Sequence, residues 1–474
     1  MRLRVPGRLD APDDGPADPF EVDEFEWEDP RTEPAPEGIA PVAPRPSRRR
    51  RLPRPRVAWR RVAILVIALA LAGGAAAVVV ARMSRVTARV APLTTREQAQ
   101  LDAAAPGISS QGRGASLPLP LRARRAAAAL PLPRAVAQLF VMGVSESAPA
   151  DPARLRAREW GGVALAAGSV TDPGAASALA GELAPPARGR AVRPLLVADQ
   201  PGGPASTFPD LPPQAQPLAG DSGRAPAVRA AARAAARELK AMGVRMTLAP
   251  VADVGVAAGP LQDRVFSDDF RVVSRLAAAA VEGWRAGGVV PAVGHFPGQG
   301  SASEDPDVAN ATVGQTIGAL RARDVRPFAA VARRAPVIVM SNAVYAGWDG
   351  VTPATALPDA FALLRRDLRY RGAIMTADLA ATAPVLGTGV GDAAVQALEA
   401  GADILYVGGR PAQQEDAYRA ILRAVRTKRI SRARLQLSVQ RVMALKQSAG
   451  LLPTPPRRPA ARRPKVGGAA RPAR

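Results

Sequence analysis

Cysteine is absent from the 474 residues, histidine occurs once, and lysine supplies only Lys240, Lys428, Lys446 and Lys465 of the 64 basic side chains. Without cysteine there is no disulfide scaffold, thiolate zinc site or cysteine nucleophile. A single histidine excludes a multi-histidine metal centre within one chain, and no metal is expected. Aromatic residues make up 4% of the chain, too few for the interleaved basic and stacking surface that nucleic-acid binding uses, so no nucleic-acid partner is expected. No loop has the Gly-x-Gly-x-x-Gly or Gly-Lys-Ser/Thr form, and no cofactor is expected.

What is present is arginine, in a chain of formal net charge +23, and its position matters more than its total. Residues 1–44 carry twelve acids against four arginines in a proline-rich context, which predicts a disordered tail. From 45 to 61 the sign reverses, with nine arginines and no acid, and the twenty residues 62–81 that follow carry no charge. Twenty apolar residues at about 1.5 Å each span the roughly 30 Å hydrocarbon layer, so 62–81 reads as a transmembrane helix. The heavier arginine flank lies before it, which places the tail 1–61 in the cytoplasm and the rest of the chain outside the cell membrane, a single-pass arrangement. Residues 82–128 show no sustained period and read as a stalk or linker. Residues 451–474 hold seven basic side chains and no acid, a basic tail.

The stretch 129–450 is long enough to bury a full core. Short apolar runs at 137–144, 162–166, 194–198, 245–249, 289–293, 336–340, 372–375 and 404–407 alternate with Ala/Arg-rich helical segments. That rhythm predicts an α/β fold, a (β/α)8 TIM-type barrel. A polar residue follows one strand after another: Asp199, Asp253, His295, Asn342 and Asp378. In a barrel the carboxyl ends of the strands form the active face, so these side chains describe a pocket.

Several motifs occur in a fixed order: Leu139-Phe140-Val141-Met142-Gly143, Asp199-Gln200-Pro201-Gly202-Gly203, Ala249-Pro250-Val251-Ala252-Asp253-Val254, Arg264-Val265-Phe266, His295-Phe296-Pro297-Gly298-Gln299-Gly300 and Met375-Thr376-Ala377-Asp378-Leu379. In this order they resemble the N-terminal domain of glycoside hydrolase family 3, and most resemble its single-domain bacterial β-N-acetylglucosaminidases, the β-N-acetylhexosaminidase type. The resemblance implies retaining hydrolysis of β-linked N-acetylglucosamine. An Asp at the end of the seventh strand would act as nucleophile and a His in a mobile loop, held by a nearby Asp, as acid/base. It also implies substrate-binding roles for Asp199, Arg264 and His295.

The catalytic positions depart from that pattern. Ala377 stands at the nucleophile position, and Asp378 matches the residue after it. Alternate strand residues face opposite sides, so Asp378 replaces the nucleophile only if the strand end is bulged by one residue; otherwise it has a structural role beside the mouth. In the acid/base loop Asp305-Pro306-Asp307 puts Asp307 where the His is expected. A carboxylic acid can do that work if its pKa is raised. The catalytic candidates are therefore Asp378, Asp307 and Asp305. Sugar binding is thinned as well: Gly294 precedes His295 where the family has Lys, and Thr207 stands where an Arg is common.

Two functions follow. One is a membrane-anchored, exported hydrolase of family 3 type, acting on amino-sugar glycans or cell-wall fragments with weak or altered activity. The other is a catalytically inactive pseudoenzyme that binds a glycan or an envelope partner. The sequence leaves the oligomeric state open.

Overall fold

The computed structural model describes residues 119–145, 148–165, 170, 172–184 and 192–452. The expected tail 1–61, the membrane span 62–81, most of the stalk 82–128 and all but the first two residues of the tail 451–474 lie outside the described residues. Among those described, no helix is long and apolar enough to cross a membrane.

Eight short strands form one sheet: β1 (Phe140–Val144), β2 (Gly162–Leu165), β3 (Leu195–Ala198), β4 (Met246–Thr247), β5 (Val290–Phe296), β6 (Val337–Met340), β7 (Ala373–Met375) and β8 (Leu405–Val407). Each pairs in parallel with the next, and β8 returns to pair with β1 through Phe140↔Leu405, Val141↔Tyr406 and Met142↔Val407. The parallel bridge Met375↔Ile404 joins the last two strands and closes the ring. Helices follow the strands and cover the outside, so the architecture is a (β/α)8 barrel of TIM type. Parallel strands covered by helices are buried on both faces, which explains why each reads as an unbroken apolar run rather than an alternation.

The helices take their form from alanine on one side and arginine on the other. On Ala225–Ala241, the buried Val228, Ala232, Ala235, Ala236 and Leu239 lie opposite the exposed Arg229, Arg233 and Arg237, which recur at one-turn spacing. The next helix, Phe270–Gly287, packs closely on it because Gly283 and Gly287 face it; a Cβ at these positions would come within 2.4 Å of the Arg229 carbonyl oxygen and 2.3 Å of the Ala236 Cβ.

Two features depart from the sequence reading. The end of the expected stalk forms a helix, Leu121–Ala128, which buries Ala123 and Ala127 and packs on the last helix, Arg432–Ser448. Before β1, residues Leu132–Ala137 form a helical turn, so the strand starts at Phe140.

At the amino end of the strands, Asp403 is fully buried. It accepts hydrogen bonds from Arg365 (2.6 Å), Arg441 (2.9 Å), the Ser438 hydroxyl (2.8 Å) and the Ile374 backbone N–H (3.1 Å), with Arg434 at 3.5 Å. Burial pushes its carboxyl up, but the three arginines outweigh this and hold it below its ordinary value. One carboxylate thereby joins β7, β8 and the last helix.

Candidate active site

The carboxyl ends of the strands carry the polar side chains, and each is held by its neighbours in a definite way. After β3, the Asp199 backbone N–H donates to the Thr207 hydroxyl oxygen at 3.1 Å, and the Thr207 hydroxyl donates to the Leu165 carbonyl at 3.0 Å. Thr207 is buried and ties β3 to β2, so the residue at the expected arginine position here serves the framework.

After β4, Asp253 is fully buried and accepts three hydrogen bonds. The His295 backbone N–H (3.2 Å) and ring Nδ1 (2.8 Å) meet Oδ2, and the Gln299 backbone N–H (2.7 Å) meets Oδ1. A ring nitrogen facing a carboxylate at that distance carries a proton. His295 itself lies within β5, which runs three residues past the predicted end of that strand.

The loops over the mouth bring in Arg264, Asp305 and Asp307. Arg264 Nη2 lies 2.5 Å from Asp305 Oδ2 and 3.7 Å from Asp307 Oδ2, and the Asp307 backbone N–H donates to Asp305 Oδ1 at 3.1 Å. Arg264 and Asp305 are largely covered at 16% and 20% exposure, whereas Asp307 is 49% exposed. Asp307 is thus the accessible carboxylate of the pair, with Asp305 spent on the guanidinium.

At the end of β7 the chain turns into the helix Leu379–Val385, and Asp378 is its N-cap. Its Oδ1 accepts from the Ala380 N–H (2.9 Å) and from the Gly408 N–H beyond β8 (2.8 Å). The pairing of β6 with β7 runs Val337↔Ala373, Ile338↔Ile374, Val339↔Met375 without a register shift. Ala377 is buried, with its N–H directed to the Thr355 hydroxyl at 3.3 Å. Asn342, after β6, donates to the Asp378 carbonyl at 3.1 Å and accepts from the Thr382 hydroxyl at 2.6 Å, bracing the same turn.

Electrostatics join these groups into one site. Burial pushes the Asp199 carboxyl up to about 7, Asp307 adds to the rise, and His295 and Arg264 hold it back. Burial alone would lower His295, but the Asp253 carboxylate and its hydrogen bond outweigh that and bring the imidazole to about 8. Burial also raises Asp378, which its two backbone donors partly offset and Asp307 reinforces. Tyr406 of β8 is raised by burial and by Asp378, Asp199 and Asp307. The charge of Asp307 therefore acts on Asp199, His295, Arg264, Asp378 and Tyr406, side chains drawn from four strand ends and a loop, with Arg264 at 3.7 Å. Among the described residues no group of three or more His, Asp or Glu is placed to hold a metal ion.

Of the residues predicted from sequence, Asp199, Arg264, His295, Asp305, Asp307 and Asp378 all come to this one mouth. Sequence reasoning listed Asp253 only as a strand-end residue and missed that it holds His295. Tyr406 was missed outright, because a Tyr within an apolar strand looks like core.

Comparison with known proteins agrees with this geometry. The sequence profile described as "Glycosyl hydrolase family 3 N terminal domain" matches residues 132–445. A beta-hexosaminidase of Xylella fastidiosa is 37% identical over 240 residues, which cover 48% of this chain and 70% of that protein. One of Xanthomonas oryzae pv. oryzae is 32% identical over 243 residues, 48% of this chain and 71% of the relative. Among solved structures, a glycoside hydrolase family 3 beta-N-acetylglucosaminidase from Paenibacillus sp. superposes with a TM-score of 0.60 at 30% identity, covering 72% of this chain and 65% of that one, just under two thirds. A beta-N-acetylhexosaminidase from Beutenbergia cavernae gives a TM-score of 0.61 at 29% identity, over 67% of this chain and 99% of the other.

Proposed function

For a chain that belongs to glycosyl hydrolase family 3, we propose hydrolysis of β-linked N-acetylglucosamine-type glycans, cell-wall fragments among them, by a route that forms no covalent glycosyl-enzyme. The observation that carries this reading is the composition of the mouth. Arg264 lies 3.7 Å from the accessible Asp307, whose charge also acts on Asp199 and His295, while the strand end offers only Ala377 and an Asp378 engaged in capping. Retention through a covalent glycosyl-enzyme uses a nucleophilic carboxylate about 5–5.5 Å from the acid/base group, whereas inversion needs an acid and a base with room for a water between. In this reading the exposed Asp307 gives a proton to the leaving oxygen. A water that passes its proton to the Asp199 carboxylate attacks in place of the carboxylate that Ala377 does not have. The product has inverted configuration, and both carboxyls return to their starting states by exchange with solvent.

The experiment is release of the chromophore from an aryl β-N-acetylglucosaminide by the purified full-length chain. Asp307→Asn is expected to lower the rate by about 10²-fold or more, the usual contribution of a positioned general acid. Release unaffected by that change rules out Asp307 as the donor.

The capped Asp378 also favours a second reading, a glycan-binding barrel without turnover. No release, together with sugar binding that weakens on Arg264→Ala, is the result that identifies it.

The functional reading includes export and anchoring. Twenty uncharged residues at 62–81 preceded by nine arginines support a single-pass protein with its barrel outside the cell membrane. Reporter fusions at residues 40 and 130 test the orientation, with an exported N-terminus as the contradicting result.

A further inference from the structure

Asp253 reaches no bulk solvent, and all three of its hydrogen bonds come from N–H donors, two of them on His295 and the third on Gln299. It fixes the backbone of the His-Phe-Pro-Gly-Gln turn and the ring of the histidine at once. With Nδ1–H directed at the carboxylate, the ring offers Nε2 as its other polar atom. The side chain before it is missing, since position 294 is glycine. We propose that Asp253 is a positioning residue that holds His295 as an imidazolium at neutral pH, so that Nε2 is there a charged donor to the bound sugar rather than an acceptor.

The charges around the ring support this assignment. Burial and Arg264 oppose the cation, while Asp253 from the β4 end and Asp307 from the mouth loop favour it and prevail. The nearer of these two carboxylates, Asp253, is buried and at hydrogen-bond distance from the ring. With the imidazole titrating at about 8, the charged form predominates at pH 7 and the neutral form at pH 9.

The role toward sugar rests on the glycan reading above; the charge state does not, and the test separates them. Because the chain holds a single histidine, nitrogen NMR of histidine-labelled full-length protein observes this ring alone. The expected result for the wild type is a doubly protonated ring at pH 7 with a midpoint near 8, and in Asp253→Asn a midpoint at least one pH unit lower. A wild-type ring that is neutral at pH 7 overturns the proposal, even if the variant fails to fold. So does a variant that folds and titrates like the wild type. N-acetylglucosamine affinity, followed by calorimetry, is expected to fall about tenfold between pH 7 and pH 9, in step with the fraction charged. Affinity that ignores the histidine titration overturns the sugar role of Nε2. No affinity at any pH, with the titration as expected, removes the glycan reading and leaves the positioning role intact.

Discussion

Asp378 illustrates how one side chain can sit in a catalytic neighbourhood and be committed elsewhere. A helix leaves its first N–H groups without partners, and an Asp at the N-cap satisfies one of them. Here the same oxygen also takes the Gly408 N–H, thirty positions along the chain, so the cap ties β7 to β8 as well. The contact is tight: a Cβ at Gly408 would lie 2.2 Å from Asp378 Oδ2. Gly408→Ala is therefore expected to destabilise the barrel by about 1–3 kcal/mol, the cost of forcing an atom into a packed site. Asp378→Asn, which keeps a good capping oxygen, should cost less than about 1 kcal/mol. Urea midpoints of the two variants check this, and the reverse order would contradict the capping assignment. From sequence, Asp378 takes either a catalytic or a structural role and the cap is not identified, although an Asp before Leu-Ala-Ala fits a helix start. The bond to Gly408 is announced by no local pattern, because barrel closure brings that partner in.

The elements were more legible than their ends. All eight strands lie within or beside the apolar runs that predicted them, since a strand buried on both faces has to be apolar throughout. Boundaries shifted where local and tertiary preferences compete. The run 137–144 starts late because its first part is a helical turn, and 289–293 extends to Phe296 because Asp253 holds the His295 backbone N–H. The two-turn helix Leu121–Ala128 was read as stalk, since a pair of buried alanines four residues apart is too short a pattern to recognise. Nothing in the sequence marks Asp403 as the meeting point of three arginines, Arg365 and, from the last helix, Arg434 and Arg441. Removing its charge leaves those guanidinium groups, each no more than 22% exposed, without their counter-ion. Asp403→Asn is expected to destabilise the chain by about 3 kcal/mol, measured by chemical denaturation. A loss below about 1 kcal/mol, the level of a surface pair, would show that the cluster is not coupled to folding.

At the scale of the whole barrel, charges separate along its axis among the described residues. The carboxyl end of the strands gathers Asp199, Asp253, Asp305, Asp307 and Asp378 around one histidine and one arginine, and the amino end surrounds a single Asp403 with three arginines. The net charge of +23 therefore says little about the mouth, which is rich in acid groups. The family and the barrel were readable from ordered motifs; the chemistry was not, because it depends on which way a few carboxylates point. The central claim is that this mouth acts on an amino-sugar glycoside without a covalent nucleophile. The direct measurement is proton NMR of the sugar first released from an aryl β-N-acetylglucosaminide by the full-length chain, recorded before the anomers equilibrate. The account predicts the α-anomer, the product of inversion; the β-anomer would contradict it, because retention needs two displacements, with a nucleophile from the protein or from the acetamido group of the substrate.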